Sequence, residues 1–203
     1  MGLPFFLYGV DMAILTPTTE LEAINMMLAS IGESPIAALN DGLVDAEIAS
    51  NYLNQISKAT QLQGWAFNTL KDYTLTPDND GYINLPLNTL KVIVPGERRY
   101  TQRGSKMYDN ESHTDVFSSS LTVDLVIALE FDQLSEALRQ YLYMAAGRRF
   151  QDNMAAEPSI HSISKEDELR AKANFWNEAA DEERFNVAEQ SSTVVNIKGN
   201  YRA

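Results

Sequence analysis

Leu53-Asn54-Gln55-Ile56-Ser57-Lys58-Ala59-Thr60-Gln61-Leu62-Gln63-Gly64-Trp65-Ala66-Phe67-Asn68-Thr69-Leu70-Lys71-Asp72-Tyr73-Thr74-Leu75-Thr76 is where the chain changes its period. Up to Leu62, apolar residues return every three or four positions. Ile48, Tyr52, Leu53, Ile56, Ala59 and Leu62 therefore share one side of a helix expected from about Val44. Gly64 stops it. From Trp65 onward, aromatic and β-branched residues come in short runs divided by turn signals, which is the pattern of strands.

Upstream of this switch, Thr18 or Thr19 caps a first helix with Leu21, Ile24, Met27, Leu28 and Ile31 at helical spacing. Gly32 lies past its end and Pro35 beyond, before a turn-rich stretch to Gly42. Downstream, Phe67 to Thr76 and Tyr82 to Leu85 flank Pro77-Asp78-Asn79-Asp80-Gly81, whose Asp-Gly pair predicts a hairpin turn. Leu90 to Val94 is closed by Pro95-Gly96. Arg99 to Gln102 and Lys106 to Tyr108 bracket Arg103-Gly104, a second hairpin. Leu121 to Phe131 is the longest strand expected, although Leu125 to Leu129 also fits a buried helix. Helical spacing returns at Leu134, Leu138, Tyr141, Leu142, Ala145 and Phe150, to about Asn153. A last helix runs from Ser164, a cap with Asp167 three residues on, to about Val187, with Leu169, Ala173, Trp176 and Ala180 as its apolar stripe. The order predicts an α+β fold: an antiparallel four-helix bundle over residues 18–64 and 132–187, a β-strand lobe inserted at 65–131, and extended termini. The termini are an N-terminal arm, 1–17, and a C-terminal tail, 188–203. Met12 reads as a second start, so residues 1–11 look like an addition.

With 203 residues, 44% of them apolar, the chain can bury a real core but not several large domains. Acidic residues outnumber basic ones by 28 to 16, and the net charge of −12 argues against gripping nucleic acid by broad phosphate neutralisation. Cysteine is absent, which removes disulfides, thiolate zinc sites and cysteine nucleophiles. His113 and His161, the two histidines, are too few for a histidine-rich metal site. No Gly-Lys-Ser/Thr loop cradles a phosphate, and no Gly-x-Ser-x-Gly elbow presents a nucleophile. Asp78-Asn79-Asp80-Gly81 is faintly like a calcium loop, but Thr76 and Leu87 would stand at its first and twelfth positions and neither supplies a carboxylate. No catalytic, metal-binding or cofactor-binding residue is assigned. A carboxylate pair for glycoside hydrolysis depends on spatial separation, which keeps an envelope or polysaccharide hydrolase as an alternative. Apolar runs fall short of the roughly 20 residues of a membrane span, and Met1 to Val10 lacks the basic start of a signal peptide. Gly2 is followed by Phe6 where a myristoylation signal has Ser or Thr. The chain is expected to be soluble and intracellular at synthesis, with no membrane partner.

Two charge features stand out. Lys91, Arg98, Arg99, Arg103 and Lys106 share the β lobe with Glu97 as the one acid between them, and Tyr100 and Tyr108 are interleaved. This patch fits a protein–protein contact, a nucleic-acid contact, or an ordinary solvated hairpin. The last helix has the opposite sign, with Glu166, Asp167, Glu168, Glu178, Asp181, Glu182 and Glu183 outweighing Lys165, Arg170, Lys172 and Arg184. In a ring of identical subunits these two surfaces would meet head to tail. The tail carries Val194, Val195, Ile197, Tyr201 and Arg202, which suit a strand added to a neighbour better than a free end.

Thr19-Glu20-Leu21-Glu22-Ala23-Ile24-Asn25, followed by Leu28-Ala29-Ser30-Ile31-Gly32-Glu33-Ser34-Pro35, resembles the opening of the tail tubular protein A family, head-to-tail adaptors of short-tailed phages. Gly64-Trp65-x-Phe67, Arg103-Gly104 with Tyr108-Asp109, Asp115-x-Phe117-x-Ser119, Thr122-Val123 and Arg148-x-Phe150 follow in the family's order, so the resemblance covers about residues 18–185. It implies a structural virion protein at the head–tail junction, assembled in the host cytoplasm. It further implies a dodecameric homo-oligomer ring joining the portal protein to the tail nozzle protein, helping to seat tail fibres. Genomic DNA would pass through its channel without specific binding. On this reading Lys91, Arg98, Arg99, Arg103, Lys106 and Tyr108 form a subunit or nozzle interface. The tail residues Val194, Val195, Ile197, Tyr201 and Arg202 form a portal interface.

Overall fold

A computed structural model describes residues 16–154 and 163–190. Four helices, α1 (Glu20–Ala29), α2 (Val44–Gln61), α3 (Glu136–Met154) and α4 (Lys165–Gln190), flank five strands, β1 (Thr69–Leu75), β2 (Thr89–Ile93), β3 (Tyr100–Arg103), β4 (Lys106–Asp109) and β5 (Leu121–Ile127). The fold is therefore α+β with small antiparallel sheets, as the order of patterns implied. One apolar core draws on all four helices, through Ile24, Met27 and Leu28, Leu53 and Ile56, Leu138, Leu142 and Phe150, and Phe175. A separate core under the strands holds Leu75, Ile83, Leu85, Met107, Leu121, Val123 and Leu125.

Local chemistry explains where the helices begin. The Thr19 hydroxyl accepts the Glu22 N–H (3.2 Å) while the Thr19 N–H donates to the Glu22 carboxylate (2.8 Å), a reciprocal cap that satisfies two otherwise orphan donors of α1. Ser164 and Asp167 do the same for α4. Thr18, just outside α1, is clamped to α3. Its N–H and hydroxyl both donate to Glu136 at 2.8 Å, and its carbonyl accepts from Arg139 Nη1 at 2.7 Å. The buried Arg139 also donates to the carbonyls of Leu134 (2.8 Å) and Asp132 (2.6 Å), so backbone dipoles carry the solvation of its charge. At the far end, Arg148 ties α3 to α4 through Glu168 and to Asp152 one turn on at 2.9 Å.

The apolar stripe expected on α4 faces solvent: Leu169, Ala173, Trp176 and Ala180 are all exposed, and Ala171, Phe175 and Ala179 are buried instead. The buried ridge sits at a strict four-residue step. Its two alanines let the helix approach closely, and Phe175 meets Trp65 edge-on at 4.8 Å and stacks with Tyr141 at 6.0 Å. Side-chain size pointed to the wrong face.

In the β lobe, β5 is the centre of a three-stranded antiparallel sheet in the order β1-β5-β2, and β3 and β4 form a hairpin. The Arg103-Gly104 turn is present, with Arg103 opposite Lys106 and Gly104 in the left-handed region at φ 61°. The Pro77 to Gly81 turn is also present, closed by the Asp78 N–H on the Tyr82 carbonyl (2.9 Å), but its flanks do not pair with each other. β1 pairs with β5, while residues 83–85 run beside the hairpin through the Asn84–Lys106 bridge and the Met107 N–H on the Ile83 carbonyl (3.0 Å), and Tyr82 bridges Val116. Leu121, Val123 and Leu125 offer β1 a long apolar partner, and burying Ile83 and Leu85 under the hairpin holds the shorter run elsewhere. The expected strand from Leu121 to Phe131 ends at Ile127, and Phe131 lies in a single 3-10 turn, Phe131–Gln133, within the helical core.

That early ending has a specific cause. Gln61, at the end of α2 and 1% exposed, accepts the Leu129 N–H on Oε1 (2.8 Å). Its Nε2 donates to the Leu129 carbonyl (3.0 Å) and the Ser57 hydroxyl (2.9 Å). Asn68, fully buried, donates to the carbonyls of Gln61 and Ile127, both at 2.9 Å, and accepts the Trp65 N–H at 2.8 Å. The outgoing and returning strands of chain are thereby knotted where the lobes meet. Asn68→Ala leaves several buried backbone groups unpaired and is expected to lower stability by about 2–4 kcal/mol. Gln61→Met, similar in volume, is expected to be nearly as costly. Denaturant unfolding of both variants checks this, and a loss below about 1 kcal/mol in each would show that the knot is dispensable.

Candidate interface on the strand lobe

Antiparallel pairing divides the β3–β4 hairpin into two faces. Met107 and Asp109 turn inward and are buried, which leaves Thr101, Arg103, Lys106 and Tyr108 on the outer face. Three of the six predicted interface residues, Arg103, Lys106 and Tyr108, are thus brought together. The Arg103 guanidinium lies 3.3 Å from the centre of the Tyr108 ring, and Lys106 Nζ lies 3.3 Å from that of Tyr82. Tyr82, seen in the sequence only as the start of a strand run, joins the patch because residues 83–85 run beside the hairpin. Cations stacked on aromatic faces keep their charge and most of their donors available for a partner.

The other basic residues are placed differently. Arg98 is exposed just before β3, and Lys91 is exposed on β2, an edge strand that pairs with β5, Lys91 standing opposite Val126, and that also approaches β3. Arg99 turns inward within its own loop. Its Nε meets Asp109 Oδ1 at 2.8 Å and its Nη2 meets Oδ2 at 2.5 Å, and Glu111 at 3.3 Å and the Ser112 hydroxyl at 3.0 Å complete the site. Two-point contact of this kind fixes orientation as well as charge. The Arg99 guanidinium holds the Asp109 carboxyl far below the usual carboxylate range, with the Ser112 and Glu111 N–H groups adding to the effect against desolvation. Asp109 raises Arg99 in return. Arg99 shapes the loop that carries the patch, a role that Tyr108-Asp109 in the sequence could have signalled once the hairpin register was known.

Val194, Val195, Ile197, Tyr201 and Arg202 lie outside the described residues. One cleft of about 320 Å³ brings carboxylates together: Glu20, Glu130 and Asp132 line it beside Leu53, Asn54 and Ser57. Burial first, then the charges of Asp132 and Glu130, raise the Glu20 carboxyl above its ordinary value. Asp132 Oδ1 is already engaged by the Glu20 N–H at 3.3 Å, so the group caps α1. Among the described residues no cluster of three or more His, Cys, Asp or Glu side chains is arranged to hold a metal ion, and no helix is long and apolar enough to cross a membrane.

Comparison with known proteins identifies a family and a relative. A family model described as tail tubular protein matches residues 21–185. The chain is 31% identical over 118 residues to "Tail tubular protein A" of Klebsiella phage KP34, a match covering 58% of this chain and 63% of that relative. It therefore spans less than two thirds of the curated relative's length.

The Arg99–Asp109 pair makes a pH prediction. Because the folded carboxyl is lowered, its contribution is complete above the unfolded value of about 3.9 and is lost progressively as pH falls from there through the much lower folded value. Asp109→Asn is expected to melt at lower temperature than the native chain at pH 7, with a narrower gap at pH 3. Thermal melts followed by circular dichroism at both pH values check it, and a gap independent of pH would contradict the assignment.

Proposed function

Since this chain belongs to the tail tubular protein family, whose members are structural proteins of phage tails, we propose that it serves as the head-to-tail adaptor, a closed ring linking portal to tail nozzle. The family match over residues 21–185 carries this reading. The ring is a homo-oligomer, a dodecamer, that sits at the head–tail junction after assembly in the host cytoplasm and helps to seat the fibres.

The geometry supports it in three ways. The buried knot at Gln61 and Asn68 ties the strand lobe to the helices, which suits a joint that must hold its shape. The outward cations Arg103 and Lys106 with Tyr108, flanked by Lys91 and Arg98, suit contact with a protein partner, because Arg and Tyr are the residues that most often anchor such contacts. The chain's net charge of −12 suits a channel wall that lets DNA pass without holding it. The C-terminal residues Val194, Val195, Ile197, Tyr201 and Arg202 are assigned to the portal side.

Electron microscopy of the purified full chain, alone and mixed with portal and nozzle proteins, is expected to show rings, and rings seated between the two partners. A chain that stays monomeric with both partners would overturn the proposal. A duplex DNA binding assay at physiological salt is expected to show no saturable binding below roughly 10⁻⁵ M. Tight binding that weakens steeply with salt would favour a DNA-binding module.

A further inference from the structure

The solvent-facing stripe of α4 is a surface that no described residue covers. Leu169 is 54% exposed and Trp176 46%, with Ala173 and Ala180 on the same side of the helix. An exposed tryptophan within an aligned apolar row is unusual for a surface that meets only water. It is also not loose: the Trp176 ring stands edge-on to the buried Trp65 at 5.3 Å and 82°, and Lys172 Nζ lies 5.6 Å from its centre. A large aromatic held in one orientation costs little entropy when a partner covers it.

Resting on the ring reading above, we propose that this stripe receives the outer face of the β3–β4 hairpin from a second copy of the chain, with Trp176 meeting the Tyr82–Lys106 and Tyr108–Arg103 pairs. Charge complementarity selects that occupant. Residues 165–183 of α4 carry seven carboxylates against three cations, and Glu178 and Glu182 place like charges one turn apart. Residues 91–106 carry five cations against a single acid, Glu97, and only Arg99 of the five has a carboxylate partner among the described ion pairs. The two surfaces lie on different lobes. A hairpin on one lobe meeting a helix on the other is a heterologous contact, the kind that closes into a ring when the rotation per subunit allows. Arg and Tyr facing Trp is also the composition of energetic centres in interfaces.

Because the native chain has no cysteine, the contact can be read by cross-linking without background. Full-length Ala173→Cys and Ser105→Cys variants, both at exposed positions, are mixed under assembling conditions and mildly oxidised. The expected product is the mixed disulfide in several-fold excess over either homodimer, with a yield that falls as salt rises. Trp176→Ala is expected to raise the concentration needed for assembly about tenfold or more. Rings that form normally while Ala173→Cys reacts freely with a thiol label would overturn the inference and leave the adaptor reading standing. So would a protected thiol that gives no mixed disulfide, since another segment would then cover the stripe. Absence of any assembly, with or without portal and nozzle, would overturn both.

Discussion

Two buried amides at one crossing point govern how this molecule behaves. The chain leaves the helices after Gln61 and returns at Leu129, and at that place Gln61 and Asn68 satisfy backbone groups from both directions. Each amide uses its oxygen and its nitrogen, so neither can rotate without abandoning a bond in a site water does not reach. A pair of covalent crossings alone would permit hinge motion between the lobes. With the knot in place, the strand lobe keeps a defined pose on the helices, and Trp65 and Phe131, on either side of the crossing, anchor it by burying in the helical core.

The sequence showed this architecture unevenly, for reasons tied to particular residues. Ser164 with Asp167 marks a helix start because capping chemistry is local, and Thr18 or Thr19 marks another, which the structure gives to Thr19; the Gly104 turn is equally plain. The face of α4 was misread because periodicity was weighed by side-chain size, whereas the buried ridge is built from alanines around Phe175. Tyr82 to Leu85 was expected opposite the strand beside it in sequence and instead runs beside the hairpin from Ile83 onward, since pairing depends on which apolar partner is longest and not on which is nearest. Gln61, Asn68 and Arg139 were illegible: polar residues in a helix or turn look like surface until the carbonyls they serve are located.

Charge in this chain works by separation. A strongly acidic molecule gathers five of its 16 basic residues between Lys91 and Lys106 with one acid among them, then withdraws Arg99 from that surface to brace the loop behind it. What remains outward, Arg103 and Lys106, rests on tyrosine rings and is not neutralised by carboxylates in the described ion pairs. Such cations lose less hydration when a partner arrives than an isolated ammonium would, because the aromatic face already replaces part of it. The patch is prepared for contact without being committed in advance.

The grip on Thr18 bears on mechanics. Glu136 takes both of its donors and Arg139 takes its carbonyl, and both of those side chains belong to the first turn of α3. Tension arriving along the preceding segment therefore passes into the longer, centrally packed α3 before it can unwind the ten-residue α1. Thr18 is a cleat: whatever is tied to the front of this polypeptide, the load path bypasses the shortest of the four helices.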